Sequence, residues 1–161
     1  SEAASVKAKG RQGELLMVGR TSTGWLGQSR STDFGSSWSN PVHLNTLIRH
    51  PMAPPNLARM PDNRLLLVTG PHFDPEQTLY GTRYTLAAQM SSDGGSSWYG
   101  YRNLQYTGQA VLEHSYCSIF VDDDRVHFTH YRACKTEPCG TKSWRSAQYI
   151  QLNMSWFDDD V

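Results

Sequence analysis

An eight-residue pattern occurs twice in this chain and constrains its fold more than any other feature. Residues 31–38 and 91–98 both read S-x-D-x-G-x-x-W. In such a pattern the carboxylate can accept backbone N–H groups across a turn, and the glycine supplies the positive φ of a tight reversal. The tryptophan can then cover the apolar side of the turn. The repeat therefore predicts two similar hairpins, whose fixed positions are Ser31, Asp33, Gly35, Trp38, Ser91, Asp93, Gly95 and Trp98.

The segments around these turns predict an all-β fold. Short apolar runs at 14–19 and 64–70 are bounded by turn residues, as in buried strands. Residues 56–68 align with 117–129, each with an acidic hairpin in the middle, and no stretch shows helical periodicity. The final Met154–Phe157 is interpreted as the end of a strand. The predicted strands lie near 3–8, 14–20, 25–31 and 37–43, near 55–60, 64–70, 84–91 and 97–104, and near 116–121, 125–131 and 146–154.

The composition excludes two classes of partner. The 15 basic and 15 acidic residues give a formal net charge of zero and are spread along the chain, so no basic stripe favours a nucleic acid. No apolar run approaches the roughly eighteen residues that a membrane-spanning helix needs. Neither nucleic-acid binding nor a membrane span is expected.

The cysteines and histidines predict structural roles. Cys134 and Cys139 bracket a turn-rich loop and can form a local disulfide, which would favour a secreted or periplasmic location. Cys117 is expected to be a buried thiol in a strand. His127 and His130 stand three residues apart on a predicted strand and so point to opposite faces. We expect no metal site, which would need more ligands at suitable spacing, and no cofactor.

Both turns resemble the Asp-box, or BNR repeat, of the sialidase (neuraminidase) superfamily. The resemblance implies a partial six-bladed β-propeller with about three four-stranded antiparallel blades. Residues 1–161 would form the C-terminal half of the domain, with blades at approximately 1–43, 44–104 and 105–161. At about sixty residues per blade, this length falls short of the four to eight blades of a closed propeller. The N-terminal half or a second chain is therefore expected to close the fold.

The resemblance also implies four site residues. Arg20 closes a second strand, Arg83 precedes a third strand, and Tyr116 stands at the start of a first strand, as in the family. Tyr116 would be the nucleophile and Glu2 its base, with Glu113 as a rival for the base, while Arg20 and Arg83 would bind the substrate. The alternation of strand directions places all four on one face of the propeller, independently of the resemblance. The third arginine and the general acid of the family's site lie in its N-terminal blades.

This residue set suits an acidic sugar. Two arginine forks can hold a carboxylate bidentately, and a neutral tyrosine avoids the repulsion that a carboxylate nucleophile would meet. The resemblance implies an exo-glycosidase that hydrolyses a terminal sialic acid, or a similar acidic saccharide, with retention, this chain supplying half of the site. One alternative is another glycoside hydrolase or lyase on the same scaffold. A second is a non-catalytic carbohydrate-binding propeller, in which the arginines are ordinary strand-end residues and Tyr116 is a half-buried strand tyrosine.

Overall fold

The computed structural model describes residues 3–7, 13–46, 49–50, 53–71, 83–106, 112–134 and 144–158. Within these ranges the chain forms three antiparallel sheets, in each of which consecutive strands are neighbours. The first sheet contains β1 (Ala3–Lys7), β2 (Leu15–Arg20), β3 (Leu26–Ser31) and β4 (Val42–His43). The second contains β5 (Asn56–Arg59), β6 (Leu65–Thr69), β7 (Thr85–Ser91) and β8 (Tyr99–Tyr106). The third contains β9 (Leu112–Asp122), β10 (Arg125–Cys134) and β11 (Trp144–Asn153).

The second sheet lies between the other two, which explains its continuous apolar run. Every residue of β6 is buried. Leu65 and Leu67 join a core with the first sheet, whereas Leu66 and Val68 join a second core with the third sheet. A strand that is covered on both faces needs apolar residues at every position. The first strands of the three sheets, β1, β5 and β9, also lie side by side.

The all-β class and the three antiparallel units predicted from the sequence are confirmed, and the strand positions agree within a few residues. No helix among the described residues is long enough and apolar enough to cross a membrane. Cys117 is a buried free thiol, and Cys134 is disulfide-bonded. Cys139 lies outside the described residues, so its pairing with Cys134 stays a prediction.

Three details differ from the expectation. Met154–Phe157 forms a 3₁₀ turn instead of a strand end, and this turn buries Phe157 in the second core. The strand expected near 37–43 is only Val42–His43, because the preceding residues complete the Asp-box, where the Ser39 N–H donates to Arg30 O (2.8 Å). β9 begins at Leu112, so Tyr116 lies within the strand and not at its start.

Each Asp-box is closed by its own side chains. Asp33 accepts hydrogen bonds from the Ser37 hydroxyl (2.6 Å), the Ser37 N–H (2.8 Å) and the Ser31 hydroxyl (2.8 Å). These bonds, the Ser37 hydroxyl first, lower the pKa of Asp33 to about 2. At Asp93 burial alone would raise the pKa, but equivalent bonds from Ser97 and Ser91 outweigh it and lower the pKa to about 2. Both carboxylates are therefore ionised at neutral pH and hold their turns together.

The Asp-boxes lie on one rim of the molecule, which we call the Asp-box rim. There the Arg30 guanidinium, just before the first Asp-box, donates to Gly94 O in the second (3.0 Å). The opposite ends of the strands form a second rim, which we call the Arg83 rim. On this rim the backbone N–H of His50 donates to Gly24 O in the β2–β3 hairpin (2.9 Å). Nδ1 of the same histidine lies 3.3 Å from Gly70 O at the end of β6, so His50 connects the first two sheets. The His114 N–H likewise donates to Arg83 O (2.6 Å) across sheets.

Gly95→Ala is expected to destabilise the protein by about 2–5 kcal/mol. Gly95 has φ +86°, and a Cβ there would lie 2.5 Å from Cδ2 of Leu16, which is fully buried. Overpacking of this kind costs about 1–3 kcal/mol in addition to the backbone strain. Gly100 is the matched control, because it also has positive φ (+63°) but a Cβ there would meet nothing within 4 Å. Urea midpoints that fall equally in the two variants would contradict the predicted clash.

Candidate functional site

Tyr116 lies on a β-bulge of the third sheet. Ser115 pairs with Tyr131 and Ser118 with Thr129, so that Tyr116 and Cys117 together oppose His130. Tyr116 has φ 52°, in the left-handed region that non-glycine residues avoid at a cost of about 1–3 kcal/mol. Strain of this kind is concentrated at functional sites, and bulges are used to re-aim side chains. The bulge leaves the Tyr116 side chain 50% exposed while Cys117 packs in the core.

A neighbouring tyrosine fixes the orientation of the Tyr116 ring. Tyr131 on β10 stacks on it with ring centroids 5.5 Å apart and an interplanar angle of 28°. The Tyr131 hydroxyl donates to Oε2 of Glu113 at 3.4 Å. The structure thus places Glu113, the rival for the base, beside the ring that supports Tyr116. Glu2 lies outside the described residues.

Arg83 lies against the strand that carries Tyr116. Its side chain is buried, with an exposed fraction of 7%, and Nη1 donates to Oγ of Ser115 at 3.5 Å. Together with the backbone bond from His114, this contact brings Arg83 next to the residues that immediately precede Tyr116. Arg20 is the last residue of β2 and pairs with Leu26, which puts it on the Arg83 rim. Arg20 and Arg83 therefore share the Arg83 rim, and Tyr116, which lies within β9, is a near neighbour of Arg83 through Ser115.

The structure also reveals a buried histidine pair that the sequence analysis missed. Nδ1 of His114 lies 3.1 Å from Nε2 of His130, and both side chains are almost fully buried. Burial lowers the pKa of both, and for His114, where the charges of His130 and Arg132 add to the effect, the pKa falls to about 4. Both rings are therefore neutral at pH 7, and one donates to the other. Because His130 lies opposite the bulge on the neighbouring strand, the histidine pair is buried next to Tyr116.

The register between β9 and β10 is the information that would have revealed this pair. Once Thr129 is paired with Ser118 and Tyr131 with Ser115, His114 and His130 are near neighbours on adjacent strands. His127 has a different environment, with Nδ1 2.7 Å from the Tyr149 hydroxyl. In the described ranges no group of three or more His, Cys, Asp or Glu side chains could hold a metal ion.

A pocket of about 340 Å³ opens on the third sheet beside Tyr116. It is formed by side chains from all three strands of that sheet. The lining residues are Tyr116, Thr129, His130, Tyr131, Arg145, Ser146 and Ala147. The pocket thus combines two tyrosine side chains, the hydroxyl groups of Thr129 and Ser146, one imidazole and one guanidinium group.

The antiparallel sheets and the two Asp-boxes are the features of a BNR-repeat domain. The family model described as "BNR repeat-like domain" matches residues 4–128, and the chain belongs to that family. It is thereby a member of the sialidase and BNR-repeat superfamily, as the Asp-boxes indicate. A search of curated protein sequences found no significant match.

Several solved structures share the fold. A variant of the NanB sialidase from Streptococcus pneumoniae is 17% identical, with a TM-score of 0.64 over 95% of this chain and 23% of that one. An α-L-arabinofuranosidase from Fusarium graminearum is 11% identical, with a TM-score of 0.60 over 92% of this chain and 44% of that one. An ulvan lyase is 10% identical, with a TM-score of 0.59 over 96% of this chain and 38% of that one. The chain therefore spans less than half the length of these structures.

Proposed function

We propose that this chain supplies one half of the active site of a retaining exo-glycosidase that removes a terminal sialic acid or a similar acidic sugar. The observation that carries the proposal is the strained bulge that exposes Tyr116 beside the buried Arg83. Tyr116 is the nucleophile in this proposal, and Arg20 and Arg83 bind the sugar carboxylate. The base is Glu2 or Glu113.

The chemistry follows from these roles. The Tyr116 oxygen attacks the anomeric carbon while its proton passes to the glutamate, and the bond to the leaving oxygen breaks. The leaving oxygen takes a proton from a general acid in the part of the protein outside this chain. Water then attacks the same carbon and gives a proton to the conjugate base of the general acid, while the released tyrosine takes its proton back from the glutamate. The two inversions give net retention. The guanidinium groups stay charged throughout and hold the carboxylate in place.

The same proposal requires a partner for the fold. Three sheets with adjacent first strands correspond to half of a six-bladed propeller, in which the remaining blades close the ring. The solved structures are more than twice as long as the part that this chain matches, which supports a missing half. That half, from the same polypeptide or from a second chain, would contribute the general acid and a third arginine.

A second candidate is a different glycoside hydrolase or a lyase on this scaffold. The specific observation in its favour is that the solved structures with this fold include an α-L-arabinofuranosidase and an ulvan lyase as well as a sialidase. Such an enzyme would use the same rim but would not depend on an arginine pair. A propeller that binds carbohydrate without catalysis would leave Tyr116 without a kinetic role.

A substrate panel tests these candidates against one another in the full-length protein. We expect the protein to hydrolyse a fluorogenic α-sialoside, and we expect NMR to show that the first sugar product has the same anomeric configuration as the substrate. In Arg20→Ala the KM for the sialoside should rise by about tenfold or more. Aryl α-L-arabinofuranoside and a uronate polysaccharide, the latter followed by the absorbance of the unsaturated product, are the comparison substrates. If the folded protein converts either comparison substrate but does not hydrolyse the sialoside, the sialidase proposal is wrong and the second candidate takes its place.

A further inference from the structure

The buried pair His114 and His130 has no part in the proposed reaction, although it lies beside the residues that do. The exposed fractions of the two side chains are 2% and 4%. This chain alone buries both rings, so the addition of further blades would not expose them. The pair is therefore a feature that the full-length protein is expected to keep.

The contact between the two rings crosses from β9 to β10 beside an interruption in the backbone pairing. In the described register no residue of β9 pairs with His130, because Tyr116 and Cys117 together lie opposite it. A bulge leaves the ladder locally disrupted in this way. The contact between Nδ1 of His114 and Nε2 of His130, at 3.1 Å, joins the two strands next to that interruption.

The same short stretch of β9 carries the contacts to Arg83. The backbone N–H of His114 donates to Arg83 O at 2.6 Å, and Oγ of Ser115 accepts from Nη1 of Arg83 at 3.5 Å. The next residue is Tyr116, with its left-handed backbone (φ 52°) and half-exposed side chain. When His114 is held against His130, the position of Tyr116 relative to Arg83 is therefore restrained as well.

The chemistry of the pair favours a directional role over simple packing. Both rings are neutral at pH 7, since burial lowers their pKa values, so one nitrogen of the contact donates and the other accepts. The other two nitrogens, Nε2 of His114 and Nδ1 of His130, have no hydrogen-bond partner among the described residues. Buried polar atoms without partners cost stability, and apolar side chains such as Val126 and Phe128 on the same strand avoid that cost.

We propose that His114 and His130 are positioning residues for Tyr116, and that their hydrogen bond selects the strand register in which the tyrosine lies beside Arg83. The inference rests on the proposed role of Tyr116 as the nucleophile. A slip of one residue would remove the bulge and turn side chains of β9 to the other face. A strained residue persists only where its surroundings over-determine it, and the histidine pair supplies this constraint at Tyr116.

Amide substitutions in the full-length protein test the pair through kcat on the fluorogenic sialoside. Asparagine places an amide where Nδ1 of histidine lies, and glutamine places one where Nε2 lies. We therefore expect His114→Asn and His130→Gln to keep kcat close to the wild-type value. His114→Gln and His130→Asn should lower kcat by about 10- to 100-fold, because a reacting group misplaced by about 1 Å costs about 10²-fold. KM should change little, because Arg83 belongs to the second sheet.

His50→Gln is the matched control. His50 is also a fully buried histidine on the Arg83 rim, but it connects the first two sheets, with Nδ1 3.3 Å from Gly70 O. We expect this variant to lower the melting temperature as His130→Asn does and to keep kcat. If kcat follows the melting temperature in every variant, the control included, the proposal is overturned. Equal kcat in His130→Asn and His130→Gln also overturns it.

NMR of the full-length protein with labelled tyrosine separates this inference from the proposed function, because the backbone shifts of Tyr116 report its φ without turnover. If the wild type does not hydrolyse the sialoside, the proposed function fails. A Tyr116 backbone that leaves the left-handed region in His130→Asn, but not in His130→Gln, still supports the pair as its positioning element. A backbone that stays left-handed in His130→Asn overturns the inference. If His130→Asn and His114→Gln both fail to fold, the pair serves the fold as a whole and the inference is also overturned.

Discussion

Tyr116→Phe is expected to lower kcat for sialoside hydrolysis by about 10³-fold or more in the full-length protein, because it removes the oxygen that would form the covalent intermediate. The substitution keeps the aromatic ring, so the stacking on Tyr131 is preserved. The left-handed backbone at position 116 is no more strained with phenylalanine than with tyrosine. A steady-state assay on a fluorogenic sialoside, with a thermal melt on the same sample, measures the effect.

Tyr131→Phe is the matched control for this loss. It removes one hydroxyl from the same stacked pair, and that hydroxyl meets Glu113 at a long distance of 3.4 Å. We expect it to lower kcat by less than about tenfold, unless Glu113 is the base and depends on this contact for its position. If Tyr116→Phe retained most of its activity in a protein whose wild type is active, Tyr116 would not be the nucleophile. The candidate site would then have to be built around another group on the Arg83 rim.

The sheets could be predicted from the sequence because their signals are local. The continuous apolar run of β6 follows from burial on both faces, and the two Asp-boxes fix where a third strand turns into a fourth. Their side chains bond within five residues of one another, so no distant partner is needed to predict the turn. Local patterns of this kind predict strands and hairpins well.

The geometry around Tyr116 could not be predicted in the same way. A bulge depends on the register between two strands, and nothing in residues 112–118 alone shows that Tyr116 and Cys117 oppose a single residue. The strand also begins four residues earlier than expected, and His114 is buried with its Nδ1 3.1 Å from Nε2 of His130. The 3₁₀ turn at Met154–Phe157 has a similar cause, since its Phe157 is placed by contacts with the second core. Tertiary packing, and not local propensity, decides these positions.

Arg83→Lys is expected to lower kcat/KM for the sialoside by about 10- to 100-fold while leaving the fold intact. A lysine keeps the positive charge, but it cannot present the two parallel N–H donors that a carboxylate accepts from a guanidinium. Losing one charged hydrogen bond costs about 1.5–3 kcal/mol, which corresponds to that range. The buried position of Arg83 against Ser115 makes lysine a safer replacement than alanine, which would leave a cavity beside the bulge.

Arg30→Lys separates a role in binding from a role in folding. Arg30 makes a cross-sheet hydrogen bond like that of Arg83, from Nη2 to Gly94 O at 3.0 Å, but on the Asp-box rim. If arginines on both rims serve only to hold the sheets together, the two variants should lower the melting temperature alike and leave kcat/KM unchanged. If Arg83 binds the sugar carboxylate, only its variant should lose kcat/KM, and the loss should be larger for an acidic substrate than for a neutral one. Because the two arginines share a structural role but not a rim, this difference assigns the carboxylate contact to the Arg83 rim.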